Sequence, residues 1–247
     1  MSGAMALIRR LHRFILLVFN SIVFWFIVNV VFCAFLIALR LSPPAGFQRM
    51  SDDFFNILFS FASGGLISFL FYFLVVFIPE RRRSRMLKDN IISLYRGVRR
   101  DIVTSVVLSS IKGGREDLNG QWDDITRLTD VKEFKASFSD GREADEGFYA
   151  FENQMMEKTF EFERIIQDIK LLASQLAFFL NNYPVRDGEL FALLKRFEVR
   201  LLSLFDSKAG YDESEPLTGF IYQWLAGWDP ISGYRDRDIF SEALERA

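Results

Sequence analysis

The chain has 247 residues, half of them hydrophobic, and a formal net charge of −2. Its single histidine, His12, and single cysteine, Cys33, exclude an internal disulfide, a cysteine-based metal cluster, a Ser-His-Asp triad and most zinc or di-iron centres. All of the charge lies outside two long apolar runs, so the average composition describes neither part of the molecule.

Phe14 to Leu39 and Phe54 to Ile78 contain no Asp, Glu, Lys or Arg. As helices, at about 1.5 Å per residue, each reaches about 38 Å, more than the ~30 Å hydrocarbon core of a bilayer. Both are apolar on every side, which predicts membrane spans rather than the one-sided helices of a soluble core. The first run is longer than the apolar part of a signal peptide. Arg40 and the large residues near Ala34 and Ala38 also disfavour cleavage, so it reads as a retained anchor. Arg9, Arg10 and Arg13 precede it, and Arg81, Arg82, Arg83, Arg85 and Lys88 follow the second run. The loop between them, RLSPPAGFQRMSDD, holds Arg40, Arg49, Asp52 and Asp53, with Pro43 and Pro44 as breakers and the two aspartates as caps. This bias predicts a hairpin with both termini in the cytoplasm. The expected organisation is a hairpin over 1–79 (spans 14–39 and 54–78), a juxtamembrane helix over 80–112 and a helical domain over 113–247.

Within the second span, Ser60, Gly64 and Ser68 form a small-residue ridge that Gly65 and Ser63 widen. Such ridges allow close helix packing in lipid, either against the first span or between copies in a homo-oligomer. In the first span Ser21, Asn29 and Cys33 share a face; an unpaired amide at mid-membrane is costly, so Asn29 is expected to engage a neighbouring helix. Of the 28 phenylalanines, 15 lie between Phe14 and Phe77, which favours a greasy path over an ion-selective one. Pro79 and the five cations mark the exit of the second span, where they contact anionic lipid and where motion of the domain would reach the membrane.

Beyond Pro79, Leu87, Ile91, Leu94, Val98, Ile102 and Val106 predict an amphipathic helix ending at Gly113 and Gly114. The β-branched residues Val103, Thr104, Val106 and Val107 leave a strand open there. A loop, GGREDLNGQ, leads to a short helix from Asp124 to Phe138 with Thr129 or Asp130 as an internal cap. After a solvated connection from Ser139 to Gly147, a seam of Phe151, Met155, Lys158, Phe162, Ile165, Ile169, Leu172, Leu176, Phe179 and Tyr183 predicts one long helix. Pro184 breaks it, Asp187 caps the next, and Leu190, Leu194, Phe197, Leu201 and Leu204 continue the pattern, so the two helices should lie antiparallel. A final helix is expected over Arg235 to Arg246. The fold class is all-α: a two-helix transmembrane hairpin followed by a helical bundle with a long antiparallel pair.

From Asp89 onward 20 Lys and Arg face 29 Asp and Glu, a balance of −9 that disfavours direct nucleic-acid binding. The carboxylate pairs Asp123/Asp124 and Glu157/Glu161 have no metal-ligand partner nearby and read as solvated faces; neither an enzyme nor a cofactor is expected. Phe220, Tyr222, Trp224 and Trp228 would either dock a partner or fill the end of the bundle.

The segment from Asp52 to Ile91, DDFFNILFSFASGGLISFLFYFLVVFIPERRRSRMLKDNI, resembles the two-transmembrane effector proteins that accompany retrons in bacterial anti-phage defence. The resemblance implies an inner-membrane toxin held inactive by a reverse transcriptase and its RNA–DNA product, which damages the membrane once released. Its expected partners are the lipid bilayer, a cytoplasmic regulatory protein or nucleoprotein, and further copies of itself. The residues alone leave two alternatives, a membrane-anchored adaptor or sensor and a small regulated channel.

Overall fold

The computed structural model describes residues 22–41, 52–139, 145–229 and 233–247. Arg9, Arg10, His12, Arg13, Asn20, Ser21, Pro43, Pro44 and Arg49 lie outside the described residues. Among the described residues the fold is all-α apart from one two-stranded ribbon, and the chain divides into two units between Arg83 and Ser84.

The first unit contains α1 (Ile22–Leu41) and α2 (Asp52–Tyr72), followed by a π-helical turn, Phe73–Phe77. Both helices are long and apolar enough to cross a membrane, yet only 11% and 6% of their most apolar windows are buried. They meet through Cys33, Leu36 and Ala62, flanked by Phe55, Leu58 and Leu66, while Phe26 and Phe69 pack edge to face at 6.0 Å. At Pro79, the kink point of a span expected to continue as a helix, the backbone does stay helical and widens one turn earlier. Proline has no N–H and its ring crowds the carbonyl four residues back, here that of Val75. The Ile78 N–H bonds instead to the Phe73 carbonyl, five residues back, and α3 (Ile78–Lys112) follows without interruption.

In the second unit α3 buries Ile91, Tyr95, Val98, Ile102, Val103, Val106 and Val107. The β-branched stretch that left a strand open is therefore helical, because packing of these side chains outweighs their weak propensity. Gly114 ends the helix at a φ of +108°, and a Cβ on Gly113 would lie 2.5 Å from the Ala150 carbonyl oxygen. α4 (Trp122–Leu128) and α5 (Val131–Phe138) divide where expected: the Asp130 carboxylate caps α5 by accepting from the Lys132 and Glu133 N–H groups.

The long helix expected over Phe151 to Tyr183 is two helices, α6 (Tyr149–Met155) and α7 (Phe160–Asn182). Thr159 accepts a hydrogen bond from the Phe162 N–H and starts a new helix, while Lys158, the one charged seam position, is exposed at the break. The apolar seam stays in phase across the interruption, so Met155 and Phe162 are both buried. α8 (Gly188–Leu202) begins at the Asp187 cap and packs against α7. α9 (Glu215–Leu225) leads into the ribbon of β1 (Trp228–Asp229) and β2 (Gly233–Tyr234), paired antiparallel with Trp228 opposite Tyr234. The ribbon displaces the start of the last helix from Arg235 to α10 (Ile239–Arg246), which Asp238 caps.

Candidate functional site

Two places in the molecule combine geometry with chemistry. The first is the ridge of α2. Leu58, Ala62 and Leu66 face α1, and at about 100° per residue Ser60, Gly64 and Ser68 lie about 200° round the helix. All three ridge residues are exposed, and a Cβ on Gly64 would meet nothing within 4 Å. Gly65 is different: its Cβ would lie 2.6 Å from Asn29 Nδ2, so the Asn29 amide nests on the bare backbone of Gly65. The Asn29 Oδ1 also accepts a contact from Cys33 Sγ at 3.9 Å. The two adjacent glycines thus belong to different faces, one inside the hairpin and one outside it.

In the first turns of α3, Pro79 and Arg81, Arg82, Arg83 and Arg85 are exposed, with the Arg81 guanidinium 6.0 Å from the Phe77 ring centre. Lys88 is tied down, its ammonium donating to the Glu245 carbonyl at 2.7 Å.

The second place is a cavity of about 420 Å³ between α8, α9 and α10. α8 supplies Leu193 and Phe197 with Arg196 and Arg200, and α9 supplies Phe220, Gln223 and Trp224; Trp228 and Phe240 complete the lining. Phe197 stacks on Phe240 at 3.9 Å and meets Trp224 edge-on at 5.5 Å. Behind the aromatic wall lies a polar chain. Trp224 Nε1 donates to the Tyr95 hydroxyl at 2.8 Å, and that hydroxyl donates to Asp238 Oδ1 at 2.7 Å. Arg99 donates to Asp238 Oδ2 at 2.8 Å and also reaches the Thr129 and Leu225 carbonyls. Burial, reinforced by the Asp238 charge, pushes the Tyr95 phenol well above its ordinary range, so it remains a neutral donor and fixes the Trp224 ring.

Of the four aromatic residues singled out in the sequence, Phe220, Trp224 and Trp228 line this cavity. Tyr222 turns the other way and packs on Phe148, Phe134 and Tyr234. Phe220 and Trp224 are at once core and cavity wall, at 6% and 3% exposed. Sequence reading missed Arg196, Phe197, Arg200 and Phe240. The spacing of Arg196 and Arg200, one helical turn apart beside an apolar seam residue, is the signal that would have found the first three.

Elsewhere Asp168 is pushed up to about 6 by burial and by the Asp101 charge, with Arg164 opposing, and its Oδ2 has no hydrogen-bond partner. Glu152 is raised by burial and by Glu215. Glu161 pairs with Lys112, whose hydrogen bond holds the carboxyl below its ordinary range, and Asp124 lies 3.7 Å from Arg127. Among the described residues no group of three or more His, Cys, Asp or Glu gathers as a metal site would require. Comparison of the chain with protein-family models, with curated proteins and with solved structures gave no match.

Proposed function

We propose that the chain is a non-enzymatic bacterial inner-membrane effector: a two-span hairpin with both termini in the cytoplasm, restrained by a regulator that binds its helical domain. On release the hairpins cluster and permeabilise the bilayer. The observation that carries this reading is the orientation of the α2 ridge. Intramolecular packing consumes Ala62, Leu66 and Gly65 and leaves Ser60, Gly64 and Ser68 open. In lipid, where apolar surface alone gives helices no reason to associate, a ridge of small residues is what lets one helix approach another.

The test is expression of the chain without its regulator in cells loaded with a potential-sensitive dye. The wild type depolarises the cells. Gly64→Leu reaches the membrane fraction at the same level and leaves the potential intact. A normal potential with the wild type overturns the reading. The aromatic cavity supports a second reading, a tethered adaptor whose domain recruits a partner. Replacing both spans with an unrelated two-span anchor separates the readings, since an adaptor survives the exchange and an effector does not.

A further inference from the structure

We infer that the cavity between α8, α9 and α10 binds a small ligand made of a planar aromatic ring and an anionic group, the chemistry of a nucleoside monophosphate. The volume of about 420 Å³ lies in the range of small-molecule sites. Five of the nine lining residues are rings: Phe197, Phe220 and Trp224 are packed into the wall, with Trp224 pinned from behind by Tyr95, and the half-buried Trp228 and Phe240 keep ring surface toward the space, so little is lost in ordering them. Rings of this kind stack on a flat base with little regard to its sequence identity.

The anionic half of the ligand follows from Arg196 and Arg200. They lie one turn apart on α8, both exposed and both lining the cavity. Arg196 Nε donates to the Ala192 carbonyl of its own helix, and neither guanidinium has a carboxylate within ion-pair distance among the described residues. From Asp89 onward acids outnumber bases by 29 to 20, so two arginines without carboxylates beside an apolar cavity run against the local charge. Guanidinium groups are suited to forked hydrogen bonding of phosphate. Gln223, on the same lining, offers an amide to the edge of a base.

The experiment uses the full chain in detergent micelles with Trp25→Phe and Trp122→Phe, so that only Trp224 and Trp228 report. Tryptophan emission is followed during titration with AMP, GMP, CMP and UMP in turn, and with adenosine and tripolyphosphate as ring-only and anion-only controls. At least one monophosphate is expected to quench saturably and to bind about tenfold or more tighter than either control. The double variant Arg196→Gln, Arg200→Gln removes no ion pair among the described residues. It is expected to lower nucleotide affinity by about tenfold or more while leaving adenosine binding unchanged. Failure of all four monophosphates to quench saturably overturns the inference. Nucleotide binding that is no tighter than adenosine binding and insensitive to the double variant overturns it as well. The measurement needs no membrane activity, so its failure leaves the depolarisation experiment untouched.

Discussion

Replacing Arg99 by Met should destabilise the helical domain far more than its loss of contact area would suggest. The Arg99 and Asp238 side chains are 5% and 18% exposed and bonded at 2.8 Å, and the same guanidinium also reaches the Thr129 and Leu225 carbonyls. Methionine fills a similar volume but leaves the Asp238 carboxylate without its counter-ion and two carbonyls without a donor. Breaking one partner of such a buried pair costs about 3–5 kcal/mol. In a domain of this size each kcal/mol moves the melting temperature by about 2–4 °C, so a fall of about 6–20 °C is expected. Near-UV circular dichroism of the full chain in micelles follows the aromatic core directly. Asp238→Asn should also destabilise, by leaving the arginine charge uncompensated. The double variant should lose less than the sum of the two, with a coupling of about 0.5–3 kcal/mol. A loss below about 1 kcal/mol for Arg99→Met, or strictly additive effects, would refute the reasoning.

Three further outcomes follow from named groups. The Asp168 carboxyl titrates at about 6 in the folded domain, against about 3.9 in an unfolded chain. Its ionisation therefore costs nothing below the lower value and reaches its full cost above the higher one. Asp168→Asn should raise the melting temperature at pH 7 to 8 and lose that advantage as the pH falls through this window; a difference independent of pH would contradict it. In the first unit, Gly65→Leu should disrupt pairing of α1 with α2, because its side chain meets the Asn29 amide, whereas Gly64→Leu should leave it intact. Crosslinking between cysteines placed at Leu36 and Leu58 reads the difference. Asp187→Ala removes a cap that holds the Glu189 and Leu190 N–H groups. It should cost about 1 kcal/mol, measurable as a small fall in the denaturant midpoint with an unchanged slope.

Where the sequence carried a local rule, it could be read. The caps at Asp130 and Asp187 each place a short acidic side chain ahead of an apolar periodic run, and both form the hydrogen bonds that rule predicts. Gly113 and Gly114 ended a helix because one meets the backbone of Ala150 and the other needs positive φ. The division between α6 and α7 was hidden because Phe151, Met155 and Phe162 keep their phase across it, so a periodicity argument sees one helix. The ridge of α2 was legible as a ridge, but which glycine faces α1 depends on the rotation of a second helix and is not written in either segment. The cavity was out of reach for a similar reason: it joins Arg196 to Phe240, and the pair behind it, Arg99 and Asp238, lies 139 positions apart.

That separation also dictates the order of events at the ribosome. Chain emerges N-terminus first, and domains close as their parts become available. The apolar helices α1 and α2 are made early, while Tyr95 still waits for Trp224, and Tyr95 and Arg99 both wait for Asp238, to complete their hydrogen bonds. Until then α3 displays an unneutralised arginine amid the hydrophobic residues it will later bury. During synthesis, then, the polar cluster of Tyr95 and Arg99 stays incomplete until the segment around Asp238 has been made.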